Sequence, residues 1–199
     1  MPASPEAELM TDSGHATSSL LIDAARLAEL LGAQRHRYAI EALAECASTS
    51  SLLLERAACG APSGSVVVAD RQHAGRGSRG RRWLASPQAS LTFSVLWRFA
   101  GGLERLAGLS LAVGLAVVRA LESCGAAGVA LKWPNDVLVG EKDGGPARKI
   151  SGILTEVMPS DPLSVVVGAG VSGSAAARIG RQFGAAVTLS DAKAEKDLK

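Results

Sequence analysis

Ser65-Val66-Val67-Val68-Ala69 leads almost directly into Gln72-His73-Ala74-Gly75-Arg76-Gly77-Ser78-Arg79-Gly80-Arg81-Arg82-Trp83. The β-branched run is typical of a strand buried on both faces. Three glycines and four arginines lie between Gly75 and Arg82, so the backbone can bend closely around a ligand that several guanidinium groups face. We predict an anion at the carboxyl end of this strand, with phosphate as the candidate. A basic surface loop or a nucleic-acid contact is the alternative.

Composition indicates one globular α/β domain. The chain has 199 residues, of which 47% are hydrophobic and 20% charged, enough for one packed core. A net charge of +2 is too small to indicate a nucleic-acid binder. Cys46, Cys59 and Cys124 form no C-x-x-C pair, and the histidines have no second ligand at metal spacing. These patterns indicate neither a disulfide framework nor a metal cage, and they favour a reducing cytoplasm.

The two ends of the chain differ from its middle. Residues 1–19 lack the apolar run of a signal peptide and are expected to be disordered. Residues 191–199 form a charged tail. The longest apolar stretch, Leu109 to Val118, is about half the length needed to span a bilayer and is predicted to be a core helix. We therefore expect no membrane association.

Periodicity predicts a mixed β-sheet flanked by helices. Helices are expected at Leu21–Leu31, after Ser48, and at Leu103–Ser123. Strands are expected at Tyr38–Leu43, Ser65–Ala69, Leu91–Trp97, Val129–Lys132 (with a resumption at Val137–Val139), Lys149–Val157 and Ser164–Val167. A glycine-rich hairpin loop is expected between Gly140 and Arg148.

Two short stretches allow two interpretations each. Ser48 or Thr49 can cap the helix that follows, or the same hydroxyls can hold the polar head of a small ligand. Gly168-Ala169-Gly170-Val171-Ser172-Gly173 follows a strand and precedes the helix-like Ser174–Phe183, as in a dinucleotide-binding unit with Asp191 as the ribose acid. Because no further parallel strands follow, the dinucleotide interpretation is the least favoured.

Four separated segments occur in a characteristic order. They are Glu45-Cys46-Ala47-Ser48-Thr49-Ser50, the loop Gln72–Trp83, Lys132-Trp133-Pro134-Asn135-Asp136, and Lys149-Ile150-Ser151-Gly152-Ile153-Leu154-Thr155-Glu156. Together they resemble the catalytic domain of biotin protein ligases, from about Tyr38 to about Val171. The resemblance implies a catalytic domain at residues 20–190 with the mixed sheet that these enzymes share with lipoate ligases.

The resemblance also implies a two-step reaction. Biotin carboxylate attacks the α-phosphate of ATP to give biotinyl-5′-AMP and pyrophosphate, and a lysine of a biotin carboxyl carrier protein then displaces AMP. Lys149 and Arg76 are the implied catalytic cations, and Mg²⁺ is the implied activator, with no protein ligand assigned. The implied biotin contacts are Ser48, Thr49, Ser50, Gln72, Gly75, Arg76, Gly77, Ser78, Lys149 and Gly152.

The nucleotide contacts implied in the same way are Arg79, Arg81, Lys132, Trp133, Asn135, Asp136, Gly168 and Gly170. The alternatives are core packing for Trp133 and a turn cap for Asp136. In this family Gly168-Ala169-Gly170 forms a turn after its strand, which removes the need for the dinucleotide interpretation.

The sequence departs from the family pattern at two residues and at both ends. Ser78 stands where arginine is usual and Ser172 where asparagine is usual, which puts retention of the adenylate and one nucleotide or metal contact in doubt. We expect the chain to lack the carboxyl-terminal β-barrel of the family, and we expect no DNA binding, because the residues before Tyr38 are too few for a winged helix.

The resemblance leaves three questions open. A domain that binds biotin or biotinyl-AMP without turnover, and a lipoate ligase, are the alternative functions. The carrier is not identified, and the oligomeric state, with a homodimer as one option, is not determined.

Overall fold

A computed structural model describes residues 20–86, 89–140 and 146–172. Three α-helices lie in these ranges: α1 (Ala24–Leu30), α2 (Thr49–Ala58) and α3 (Leu109–Ser123). The strands are β1 (Ala39–Cys46), β2 (Ser65–Gln72), β3 (Ser90–Phe99), β4 (Val129–Lys132), β5 (Asp136–Val139), β6 (Arg148–Met158) and β7 (Leu163–Ser172).

All seven strands form one sheet in the order β1-β2-β3-β7-β6-β5-β4. β1 and β2 are parallel and are connected through α2. Every other neighbouring pair is antiparallel. The predicted mixed sheet flanked by helices is therefore confirmed.

The helices α2 and α3 cover opposite faces of this sheet. Val166 of β7 packs in a cluster with Leu53 of α2, whereas Val165 and Val167 pack in a cluster with Leu121 of α3. Because successive strand residues point to opposite faces, β7 is buried on both sides. All of its residues from Leu163 to Val171 are buried.

In β3, too, successive residues point to opposite faces of the sheet, which explains the alternation of its apolar residues. Leu91 and Trp97 pack on the α3 side, as their period-two spacing predicts. Leu96 packs on the α2 side, and the hydroxyl residues Thr92 and Ser94 share its parity. Both hydroxyl residues are buried, so the α2 face of the sheet has a polar patch within it.

The helix predicted at Leu103–Ser123 is divided. A short 3-10 turn at Leu103–Leu106 comes first, and Gly108, at φ 79°, then ends the irregular segment before α3. A left-handed residue breaks the helical hydrogen-bond ladder and favours glycine. By length and composition alone, Leu103–Ser123 is apolar enough to cross a membrane, but α3 packs on the sheet through Val118 and Leu121.

Two further sequence predictions need correction. Val137–Val139 does not resume β4, because the chain reverses at Trp133-Pro134-Asn135 and β5 pairs antiparallel with β4. The turn expected at Gly168-Ala169-Gly170 is also wrong, since β7 continues through these residues and pairs with β3 and β6 as far as Ser172. Side chains from other parts of the chain pack against the two glycines of this segment. This tertiary packing outweighs the local preference of glycine for a turn.

Several predictions lie outside the described residues. These are the disorder expected for residues 1–19, the helix-like Ser174–Phe183, Asp191 as a ribose acid, and the charged tail 191–199. The loop predicted between Gly140 and Arg148 joins the antiparallel strands β5 and β6, and its residues 141–145 are likewise outside the description.

Candidate active site

A cavity of about 200 Å³ opens on the α2 face of the sheet. The start of α2 and the loop after β2 bound it on one side, and β6 and β7 form its floor. Residues that line it are Ser48, Thr49, Ser50, Gln72, Arg76, Gly77, Ser78, Arg81, Arg82, Trp83, Thr92, Phe93, Asn135, Lys149, Gly152, Ile153, Leu154, Gly168, Ala169 and Gly170. Thirteen of these twenty are predicted site residues, drawn from five separated segments of the chain.

One end of the cavity is polar and uncharged. Ser48 is the N-cap of α2 and accepts a hydrogen bond from the Ser51 N–H at 3.4 Å, which confirms the capping interpretation. The Thr49 N–H donates to Gln72 Oε1 at 2.8 Å, and the Thr49 hydroxyl lies 3.1 Å from the same oxygen. Because β1 pairs in parallel with β2, Cys46 and Gln72 are register partners, which brings the start of α2 beside Gln72.

The loop after β2 is a small hairpin. The Trp83 N–H donates to the Gly75 carbonyl at 2.9 Å, and the Gly77 N–H donates to the Arg81 carbonyl at 2.7 Å. Gly75 is buried, and a Cβ on it would lie 2.5 Å from the Trp83 carbonyl oxygen. Glycine is therefore required there for the close approach of two backbone segments.

The tip of this hairpin holds the remaining loop residues. Arg79 is exposed and has a left-handed backbone, with φ 60°. The Ser78 hydroxyl accepts a hydrogen bond from Arg81 at 3.0 Å. Ser78 and Arg81 line the cavity, whereas Arg79 does not.

Arg76 is paired with a carboxylate at the edge of the cavity. Its guanidinium lies 2.5 Å from Glu156 Oε1 and also donates to the Ser51 hydroxyl at 3.4 Å. The Glu156 side chain is only 18% exposed, and its Oε2 is buried without a hydrogen-bond partner. Arg76 is therefore the cation that compensates this carboxylate.

Lys149 is held in a similar way on the other side. Its Nζ lies 2.6 Å from Asp136 Oδ1, in the geometry of an ion pair and not of an aligned hydrogen bond. The same Nζ lies 5.6 Å from the centroid of the Trp83 ring, within cation–π range. Asp136 and Lys149 come together because β5 pairs with β6.

Glycines make room for side chains on the cavity floor. A Cβ on Gly170 would lie 2.4–2.6 Å from Trp83 ring atoms, and one on Gly152 would lie 3.1 Å from both Trp83 and Lys149 Nζ. A Cβ on Gly168 would lie 2.4 Å from the Ser50 hydroxyl. Gly168 thus lies beneath the polar end of the cavity, and Gly170 lies beneath the indole.

The segment Lys132–Asp136 contributes unequally. The Asn135 side chain donates to the Ile153 carbonyl at 2.7 Å, which fixes the turn against β6. Trp133 is 77% exposed, so its core-packing alternative is wrong. Lys132 is also exposed, and neither Lys132 nor Trp133 lines the cavity.

Among the described residues, the site shows neither an activated thiolate nor a cluster of metal ligands. Cys46 ends β1 near the cavity, and burial raises the pKa of its thiol above the ordinary value, which disfavours the reactive thiolate. Among the described residues, no group of three or more histidine, cysteine, aspartate or glutamate side chains could hold a metal ion. Positioning and charge stabilisation are what this arrangement can supply.

Sequence reasoning assigned no role to four residues that lie at or next to the cavity. The loop Gln72–Trp83 contains Arg82 and Trp83, but neither had an assigned role. Glu156 is the last residue of the fourth segment and likewise had no assigned role. Ser94 was not singled out, because an isolated serine in a strand has no distinguishing pattern. A signal for Trp83 was present in the glycines of β6 and β7, since glycine inside a strand often marks the close approach of another group.

Comparison with known proteins places these features in a family. A family model described as the biotin/lipoate A/B protein ligase family matches residues 44–172. The chain is 38% identical over 127 residues to the bifunctional ligase/repressor BirA of Escherichia coli strain K12, covering 63% of this chain and 37% of BirA. It is 41% identical over 149 residues to a biotin–[acetyl-CoA-carboxylase] ligase of Mycobacterium tuberculosis, covering 72% of this chain and 53% of that protein.

Solved structures with bound ligands are also similar. A biotin protein ligase from Aquifex aeolicus in complex with biotin and ATP has a TM-score of 0.53 and 37% identity, covering 66% of this chain and 51% of that one. The Leishmania major biotin protein ligase in complex with biotinyl-5-AMP has a TM-score of 0.54 and 29% identity, covering 75% of this chain and 67% of that one. The chain spans between 37% and 53% of the length of the two curated relatives.

Proposed function

Because this chain belongs to the biotin/lipoate A/B protein ligase family, we propose that it joins biotin to ATP as biotinyl-5′-AMP and transfers the biotinyl group to a lysine of a biotin carboxyl carrier protein. One observation carries the proposal. A single cavity has an uncharged polar end at Thr49 and Gln72 and a cationic end at Arg76 and Lys149. Biotin has this same division, with a ureido head and a carboxylate tail.

The polar end also favours biotin over lipoate. The dithiolane head of lipoate has no hydrogen-bonding group to match the Gln72 NH₂ group or the hydrogen-bonding capacity that Ser48 and Ser50 retain beside their protein partners. Leaving such groups unpaired in a closed site costs binding free energy. A cyclic urea, in contrast, has an acceptor oxygen and two N–H donors.

In the first step an oxygen of the biotin carboxylate attacks the α-phosphorus, a new P–O bond forms, and pyrophosphate leaves. Lys149 neutralises the carboxylate during its approach and then the negative charge that gathers on the α-phosphate oxygens. Arg76 adds a second cation beside the same phosphate. No protonation of the enzyme is required, because the nucleophile is already an anion.

In the second step the neutral amine of the carrier lysine attacks the acyl carbon of the mixed anhydride. An amide forms, AMP leaves with the bonding electrons, and the amine proton passes to solvent. Lys149 stabilises the charge on the departing phosphate. The exposed Lys132 ends β4 and Trp133 begins the β4–β5 turn, and the family resemblance assigns both to the nucleotide side.

Magnesium is proposed as the counterion of ATP. Two carboxylates lie at the cationic end, Asp136 in contact with Lys149 and Glu156 in contact with Arg76. A cation that keeps most of its water and phosphate ligands and uses one or two carboxylates fits these residues better than a cage made of protein groups. When bound, the ion supplies neutralisation of the triphosphate. A reducing cytoplasmic location and a homodimer remain predictions.

The test is pyrophosphate release and carrier labelling by the folded chain with biotin, ATP and Mg²⁺. The expected result is biotin-dependent pyrophosphate release, followed by transfer when a carrier domain is added. Biotin binding without release would indicate a binding domain, and preference for lipoate in competition would indicate lipoate attachment. A folded preparation that neither binds biotin nor releases pyrophosphate would contradict the proposal.

A further inference from the structure

A chain of buried hydroxyls lies behind the polar end of the cavity. Ser94 of β3 is fully buried, and its hydroxyl lies 2.8 Å from the Thr49 hydroxyl and 3.0 Å from the Ser50 hydroxyl. Thr49 in turn contacts Gln72 Oε1. Four side chains from α2, β2 and β3 thus form one continuous hydrogen-bonded path.

The direction of this path follows from which groups can donate. The Thr49 N–H is only a donor, so the Gln72 atom 2.8 Å away must be the amide oxygen. An amide oxygen is only an acceptor, so the Thr49 hydroxyl donates its one proton to it. Thr49 can then only accept from Ser94, and the Ser94 proton is committed to that bond.

The same reasoning determines what the cavity presents to a ligand. Since Ser94 has no second proton, Ser50 is the donor in the bond between Ser50 and Ser94. Ser50 therefore faces the cavity with acceptor lone pairs alone. Gln72, whose oxygen is committed to Thr49, faces the cavity with its NH₂ group, a donor.

We infer that Ser94 is a positioning residue that passes the direction set by Thr49 and Gln72 on to Ser50, so that the cavity offers an acceptor at Ser50 beside the donor at Gln72. A ligand with a carbonyl acceptor next to an N–H donor matches this polarity, and a cyclic urea has both. The inference rests on the proposed function and deepens it, because it states how the site selects the ureido head and which residue outside the cavity lining orients the Ser50 acceptor.

Gly168 supports the assignment independently. A Cβ there would lie 2.4 Å from the Ser50 hydroxyl and 3.3 Å from the Ser94 hydroxyl. Glycine at this position leaves the space that the two hydroxyls occupy. The lack of a side chain at this position of β7 therefore accommodates the two serines as well as the proposed ligand.

The first arm of the test changes the polarity at Gln72. The probes are biotin and 2-iminobiotin, in which an N–H donor replaces the ureido oxygen, and their Kd values are measured by calorimetry. The unaltered chain should prefer biotin by at least about 100-fold, because a donor facing a donor leaves both unpaired. Gln72→Glu keeps an acceptor for Thr49 but presents oxygen to the cavity, so the preference should reverse.

The second arm tests Ser94 itself. Ser94→Ala should raise the Kd for biotin about tenfold, the effect of one lost hydrogen-bond contribution, while the Kd for ATP at saturating biotin stays within about twofold. Adding Ser50→Ala should then change the biotin Kd by less than about twofold, because linked residues are not additive. Ser164→Ala is the matched control, since Ser164 is also a buried, hydrogen-bonded strand serine but bonds to Arg98.

The outcomes separate the inference from the proposed function. A chain that binds biotin, but whose Gln72→Glu variant still prefers biotin, or in which Ser94→Ala and Ser50→Ala are additive, would overturn the inference alone. A biotin Kd raised equally by Ser164→Ala would also overturn it, by showing a general loss of packing. A folded chain that binds neither probe would overturn the proposed function and this inference together.

Discussion

At the scale of single residues, Lys149 and Arg76 each contact a carboxylate of the protein. Lys149 pairs with Asp136 at 2.6 Å and Arg76 with Glu156 at 2.5 Å. A carboxylate or phosphate that enters the cavity must share or replace these partners. The two acids therefore influence how strongly the cations attract a ligand.

Lys149→Ala should lower the rate of biotin-dependent pyrophosphate release by at least about 100-fold, because one preorganised charge at the reacting phosphate is lost. Lys149→Arg should retain part of the rate, since it keeps the charge but not its position. Arg119→Ala is the control, an exposed cation on α3. A Lys149→Ala rate close to that of the control would remove Lys149 from the central role.

Arg76 should have separable effects on stability and on activity. Arg76→Ala leaves the mostly buried Glu156 carboxylate uncompensated, and the free energy of unfolding should fall by about 1–3 kcal/mol. Adding Glu156→Gln should recover most of that loss in urea denaturation, whereas adenylate formation should stay low. Recovery of both quantities would mean that Arg76 acts only through its ion pair.

Ser78 is the position where the family usually has arginine. Its hydroxyl bonds to Arg81, and it lines the cavity. Ser78→Arg should slow the escape of biotinyl-5′-AMP, because a further cation faces the adenylate phosphate. The half-life of protein-bound adenylate without carrier measures this, and an unchanged or shorter half-life would contradict it.

Sequence reasoning identified these residues to different degrees. Lys149, Arg76 and Gln72 lie in contiguous motifs, so their types and order were sufficient to select them. Glu156 and Ser94 act through partners that are 80 and 44 or 45 residues away in sequence. Such contacts depend on the pairing of strands and have no local pattern.

At the scale of elements, β7 and the loop after β2 are shaped for each other. The Trp83 indole lies over Gly152 and Gly170, and its Nε1 is buried without a hydrogen-bond partner. Gly152 was predicted within a strand, whereas Gly170 was predicted in a turn on the strength of the family resemblance. The packing of an indole from another part of the chain determines that they continue a strand.

Gly170→Ala should test this contact. Gly170 does not have a left-handed backbone, so alanine is disfavoured only by its overlap with the Trp83 ring, which should cost about 1–3 kcal/mol of stability. Combining it with Trp83→Ala should remove the penalty, so that the two changes are strongly non-additive. Urea denaturation of the four proteins measures the coupling, and simple additivity would contradict the described packing.

At the scale of the whole molecule, a mixed sheet covered on both faces positions the site. Composition and periodicity predicted this architecture, because buried strands and amphipathic helices leave regular apolar patterns. The order of the strands was not predictable in the same way. It places β7 between β3 and β6, which brings Ser94, Gly168 and Gly152 to one face around the loop that follows β2.

The most direct test of the central claim is a structure of the chain with biotin and a non-hydrolysable ATP analogue. The account predicts one cavity in which the ureido head meets Gln72 and Ser50, while Lys149 and Arg76 converge on the carboxylate and the α-phosphate. Ligands bound elsewhere, or bound in this cavity while Lys149 contacts only Asp136 and Arg76 only Glu156, would contradict it.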